Sequence, residues 1–107
     1  MKIIEKNRDA IKALCEKHNV LSLYVFGSVA RGDDNAGSDV DFLATFSEDD
    51  LYNHFDNYYN FLKGMEALLG KKVDLVSENY IQNPYLKKYI DSSKIMLYEK
   101  RYPDMAA

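Results

Sequence analysis

Gly27-Ser28, the pair Asp39 and Asp41, and Asp74 are the residues whose types and spacing could do chemistry; ten residues, Val29 to Ser38, separate the first pair from the second. Alternate residues of a strand share a face, so Asp39 and Asp41 project side by side while Val40 turns to the core. Two parallel carboxylates repel, and the arrangement is costly without a cation between them. A hard divalent ion suits oxygen ligands, and Mg²⁺ takes one or two carboxylates plus substrate phosphates. Asp74 is the other acid expected mid-strand in apolar surroundings. If its strand neighbours that of Asp41, three carboxylates converge. Three can hold two metal ions about 3.5–4 Å apart, the layout of in-line displacement at phosphorus. Gly27 lets the backbone approach a ligand closely. The N–H groups after it and the Ser28 hydroxyl can cradle a phosphate, above all if Ser28 opens a helical turn.

Each piece has a plainer reading. An isolated Asp-x-Asp is usually solvated surface, Gly-Ser is usually a turn, and Asp74 can pair with Lys71 or Lys72. The combination at strand ends, with a third mid-strand Asp, favours the chemical reading. Arg31 either touches phosphates, which suit a guanidinium, or pairs with Asp33, Asp34 or Asp39 to hold the loop. Lys71 and Lys72 read as solvated strand-edge charges. His18 and His54 have no His or Cys partners at metal spacing and read as structural or surface.

The elements that must position these residues follow from apolar periodicity. A helix is expected from Ile3 to about His18, with Ile4, Ile11, Leu14, Cys15 and His18 near one face. Leu21–Phe26 is a buried strand that stops at Gly27. Ser28–Ser38 is loop-like, with room for one helical turn. Asp39–Phe46 alternates, Val40, Phe42, Ala44 and Phe46 facing one way. Ser47 and the acids after it suit a helix start. The helix runs to about Leu69 with a core stripe of Leu51, Phe55, Tyr58, Leu62, Met65 and Leu69, and Gly70 stops it. Lys71–Val76 is a third strand. Asn83-Pro84 caps a helix to about Asp91, and Lys94–Tyr98 is a short edge strand. The order α-β-β-α-β-α-β implies an α/β (α+β) fold, a small mixed sheet of three to four strands flanked by helices. Residues 1–107 read as one domain, with a frayed tail at 101–107. Nine Tyr fall to core and half-buried positions, with some at a partner surface.

Composition narrows the classes. With 107 residues, 47% hydrophobic and 29% charged, the chain suits one small globular domain rather than a disordered or low-complexity one. So short a chain leaves any site shallow, or completed by something else. A net charge of −3 argues against non-specific nucleic-acid binding. No run approaches eighteen apolar residues, and the N-terminus lacks the apolar stretch of a signal peptide. The single Cys15 cannot form an internal disulfide, which fits a cytoplasmic location.

The segment FGSVARGDDNAGSDVDFLATF resembles the signature of the polymerase-β-like nucleotidyltransferase superfamily: Gly-Ser, about ten residues, then Asp-x-Asp. From the first helix to KIMLYE the chain is similar to minimal nucleotidyltransferases, or MNT domains, commonly encoded beside a HEPN-domain ribonuclease toxin whose antitoxin they are. The resemblance implies that Gly27 and Ser28, with Arg31 beside them, bind the triphosphate of ATP. Asp39 and Asp41 would ligate two Mg²⁺ ions, and Asp74 would complete the metal site and help deprotonate the attacking hydroxyl. AMP would pass to a hydroxyl of the HEPN toxin, expected to be a tyrosine, with release of pyrophosphate. Two other functions stay open: an antitoxin acting by contact alone, and nucleotidyl transfer to a small molecule.

Overall fold

The computed structural model describes residues 1–47 and 51–100, apart from the side chain of Leu51. Its strands are β1 (Val20–Phe26), β2 (Val40–Phe46), β3 (Val73–Ser77) and β4 (Ile95–Glu99). They lie side by side in the order β3-β2-β1-β4. β1 is antiparallel to both β2 and β4, whereas β3 is parallel to β2. A parallel neighbour requires a crossover, and helix α4 (Leu51–Leu69) supplies it. The other helices are α1 (Lys2–Lys6), α2 (Arg8–Lys17), α3 (Gly27–Arg31) and α5 (Pro84–Ser93), with a 3-10 turn at Glu78–Tyr80. The mixed, helix-flanked sheet expected from the element order is present.

Period-two alternation sorts the strand residues onto two faces. Val40, Phe42, Ala44 and Phe46 of β2 join Leu23 and Val25 of β1, Val73 and Leu75 of β3, and Ile4, Ile11, Cys15, Phe61 and Met65 of the helices in the larger core. Val20 and Leu23 both reach this core although they are three apart, because the β1–β2 register shifts between Val20 and Ser22. The opposite face is smaller: Phe26, Leu43 and Ile90 cluster there, with Tyr24, Val76, Ile81 and Leu86 packed around them. Helix α5 covers that face. Its start matches the sequence signal: the Asn83 side chain accepts from the Tyr85 and Leu86 amides, with Pro84 in the first turn.

Several expectations are corrected. The first helix is broken at Asn7, whose φ of −113° is not helical and whose side-chain amide donates to the Ile3 carbonyl at 2.8 Å. An Asn that bonds its own backbone competes with the helical ladder. The core stripe of α4 is also rotated. Phe55, assigned to it, is 62% exposed, while Phe61 is fully buried and His54 nearly so. The inward face is therefore His54, Tyr58, Phe61, Met65 and Leu69. The expected cap and tail residues 48–50 and 101–107 lie outside the described residues. No described Tyr is fully buried: the core aromatics are Phe, and Tyr52, Tyr59, Tyr80, Tyr85 and Tyr89 are exposed. Phe61→Ala is expected to cost about 3–5 kcal/mol of stability in urea denaturation, and Phe55→Ala no more than about 0.5 kcal/mol.

β3 lies at one edge of the sheet, and its outward polar groups are covered. Glu66 accepts from the Val73 amide at 3.2 Å, and the Tyr58 hydroxyl donates to the Leu75 carbonyl. Side chains of α4 thus spend the hydrogen bonds that another strand would otherwise seek. The Cys15 thiol is buried, and burial, with the Glu16 charge adding, pushes its pKa up to about 12. It is a packing group rather than a nucleophile.

Candidate active site

β1 ends where β2 begins, because the two strands are antiparallel with Phe26 opposite Asp41. The chain leaving β1 at Gly27 therefore passes directly beside Asp41. β3 pairs with β2 in a register that sets Asp74 opposite Asp41. Both point to the α5 side, since each lies one residue away from inward-facing neighbours of the larger core. The topology thus brings together Gly27, Asp41 and Asp74 from three different strand ends.

Asp41 and Asp74 are direct neighbours across the β2–β3 pair. The Asp41 carboxyl pKa is raised to about 6, first by partial burial, then by the charge of Asp74 and a hydrogen bond with it, and then by the charge of Asp39. Arg31 pulls the other way, but less. A carboxyl that keeps its proton to near pH 6 beside a second carboxylate marks a deficit of positive charge. The donor set is all hard oxygen, which fits a divalent ion of the Mg²⁺ type, and two carboxylates suffice when substrate phosphates complete the shell. Among the described residues, no three His, Cys, Asp or Glu side chains are gathered closely enough to hold an ion as they stand. Asp39 precedes β2 and acts on Asp41 through its charge alone.

Gly27 has φ +73°, and a Cβ built there would overlap the Asp41 carboxylate oxygen. Only glycine lets the strand turn into α3 this close to Asp41. Ser28 lies in the single turn of α3, as the sequence allowed. Gly32, in the left-handed region, ends the turn, with the Gly32 amide donating to Val29 and the Asp33 amide to Ser28.

Arg31 makes contacts within the loop and to α5. Its Nε lies 3.0 Å from Asp33 Oδ2, and its Nη1 donates to the Tyr89 hydroxyl at 3.1 Å. Lys71 corrects the expectation of a solvated charge. Its ammonium donates to the carbonyls of Asn35, Ala36 and Ser38 at 3.3–3.4 Å, tying down the loop that delivers Asp39. Lys72 is exposed, as expected. His54 is buried against Phe46, Tyr58 and Tyr80, a structural position. Sequence reasoning missed two further neighbours of the motif, Tyr89 and Ser93 of α5. They lie far along the chain and carry no local signal.

Beyond β3, a groove of about 560 Å³ is lined by residues including Phe55, Tyr58, Val76, Tyr80, Ile81 and Leu86. One wall of the groove, Val76, lies two positions after Asp74 on the same strand.

Residues 8–97 match the family described as the nucleotidyltransferase domain. The chain belongs to the nucleotidyltransferase family. A candidate protein adenylyltransferase of Methanocaldococcus jannaschii is 38% identical over 93 residues, covering 87% of this chain and 89% of its own. The protein adenylyltransferase MntA of Thermococcus cleftensis is 38% identical over 76 residues, covering 71% and 74%. Among solved structures, a candidate minimal nucleotidyltransferase superposes with a TM-score of 0.71 at 34% identity, over 86% of this chain and 90% of that one. The MNT antitoxin complexed with a tri-AMPylated HEPN toxin of Shewanella oneidensis shares the fold, with a TM-score of 0.62 at 17% identity over 95% and 77%. The chain is thus an adenylyl-transferring enzyme of the minimal nucleotidyltransferase type. Among the described residues, no helix is long and apolar enough to cross a membrane.

Proposed function

We propose that this chain is an antitoxin that transfers AMP from ATP to a hydroxyl, expected to be a tyrosine, of a partner HEPN ribonuclease toxin. The observation that carries this reading is the pairing of Asp41 with Asp74 on adjacent strands, directly beside a Gly27 whose added Cβ would meet the Asp41 carboxylate. Gly27 and Ser28 would receive the triphosphate, with the open backbone and the Ser28 hydroxyl facing its oxygens. Asp39, Asp41 and Asp74 would hold the divalent ions. Bound there, Mg²⁺ supplies charge neutralisation at the α-phosphate and the departing pyrophosphate. Asp74 is exposed, unlike Asp41, so an incoming hydroxyl can approach it and deliver its proton there. The new bond joins the acceptor oxygen to the α-phosphorus, and the bond to the pyrophosphate oxygen breaks. Positioning and charge neutralisation account for most of the rate in such chemistry.

A protein acceptor is supported by the surface around the site. Phe55 and Tyr80 line the groove next to β3 and are exposed, as are Tyr52 and Tyr59 of α4, and exposed aromatics are favoured at partner surfaces. The relatives named as protein adenylyltransferases and the toxin-bound neighbour support the same acceptor class. Mixing the chain with ATP, Mg²⁺ and a candidate HEPN partner is expected to raise the partner's mass by whole AMP increments. The combined Asp39→Ala and Asp41→Ala variant is expected to add none. A partner neutralised by that variant while its mass stays unchanged would instead identify inhibition by contact.

A further inference from the structure

Two residues of α5 grip the motif from the far end of the chain. Ser93 Oγ accepts from the Gly27 amide at 3.1 Å, across 66 positions. Tyr89, one turn earlier, accepts from Arg31 Nη1 at 3.1 Å, and its ring centre lies 5.9 Å from the guanidinium carbon. The Tyr89 ring is itself held edge-on by Phe26. Gly27 and Arg31 are four apart on α3, and Tyr89 and Ser93 are four apart on α5. Residues at that spacing share a helix face, so each helix presents one pair to the other.

The bond to Gly27 uses a lone pair of the Ser93 oxygen. Its own proton has no acceptor among the described residues. An oxygen that already receives the Gly27 amide stands at the mouth of the cradle, next to where a phosphate oxygen would lie. The Ser28 hydroxyl is likewise without a hydrogen bond to a described residue. The Ser93 hydroxyl and the Arg31 guanidinium, which is bonded by Tyr89, therefore lie on the seam between α3 and α5, with Ser28 next to Gly27 in sequence. With the reacting phosphorus beside Asp41 and Asp74, that seam is where the rest of the phosphate chain would lie.

We propose that Ser93 is a triphosphate-binding residue, its lone pair holding the Gly27 amide while its proton is donated to a terminal phosphate of ATP, and that Tyr89 is the residue that positions Arg31 toward the same phosphates. The proposal rests on the reading of ATP as donor given above. Titration calorimetry with ATP and with AMP, in the presence of Mg²⁺, separates the possibilities. A hydrogen bond to a charged phosphate is worth about tenfold in affinity or more. Ser93→Ala is expected to weaken ATP about tenfold and to leave AMP within about twofold, because AMP lacks the terminal phosphates. Ser93→Thr, which keeps the hydroxyl, is expected to bind ATP nearly as wild type, and Tyr89→Phe is expected to weaken ATP several-fold while sparing AMP. Ser93→Ala binding ATP like the wild type, or losing ATP and AMP equally, would overturn the proposal. Should Ser93→Ala fail to fold, Ser93→Cys keeps the shape with a poorer donor, and undiminished ATP binding by it would overturn the proposal as well. A wild-type protein that binds neither nucleotide would instead overturn the donor reading itself.

Discussion

Asp41→Asn is expected to lower adenylyl transfer by about a thousandfold or more while raising the melting temperature of the free protein. The first effect follows from removing the carboxylate at the centre of the site. Loss of several kcal/mol of transition-state charge stabilisation corresponds to about three decades in rate. The second follows from the raised pKa. The Asp41 carboxyl ionises near pH 6 in the folded protein instead of near 3.8. Between those values the native state keeps a proton that the unfolded chain has released, so stability falls as pH rises through the window and is level above it. Asn removes that penalty at neutral pH. Because the pair is partly open to solvent, the gain is about 1 kcal/mol, or about 4–8 °C for a domain of this size. Differential scanning calorimetry at pH 4 and pH 7 checks it: the wild type should lose stability between the two, relative to the variant. A variant melting below the wild type at pH 7 would show that Asp41 is not held in an unfavourable setting.

Gly27→Ala is the second large effect, and Gly32→Ala is its control. Both glycines have positive φ, +73° and +79°, so each substitution carries a similar backbone penalty of about 1–2 kcal/mol. Around Gly32 nothing lies within 4 Å of the added carbon, whereas at Gly27 it overlaps the Asp41 carboxylate. Gly32→Ala is expected to lose stability but keep its transfer rate within a few-fold. Gly27→Ala must also displace Asp41, and a shift of about 1 Å in a reacting constellation costs about a hundredfold. Steady-state transfer rates of the two variants, each measured below its melting temperature, isolate that displacement. Equal rates would mean that Gly27 serves only the turn.

Much of this geometry was legible because it is written in short-range patterns. The alternation of Val40, Phe42, Ala44 and Phe46 sets which way Asp41 faces. Asn83-Pro84 marks a helix start through chemistry confined to four residues. The spacing of Gly27-Ser28 and Asp39-Val40-Asp41 survives because one hairpin-like pair of strands brings them together. What the sequence left open depends on packing at a distance. Apolar and aromatic residues run almost all round α4, so docking on the sheet decides that Phe61 goes in and Phe55 stays out. Nothing near Lys71 announces that it will bind three carbonyls of a loop more than thirty positions earlier. Ser93 and Tyr89 reach Gly27 and Arg31 only because α5 lies across the smaller face. Asn7 breaks the first helix without a Gly or Pro, through a side-chain bond that competes with the ladder.

Adenylyl transfer is defined by which phosphorus of ATP reaches the partner protein. ATP carrying radioactive phosphorus at the α position, incubated with this chain, Mg²⁺ and the HEPN protein, is expected to label the partner. ATP labelled at the γ position is expected to leave it unlabelled, with the label recovered in pyrophosphate. Label arriving from the γ position, or no label from either with a partner that is nonetheless inhibited, would contradict nucleotidyl transfer by the Asp41–Asp74 site.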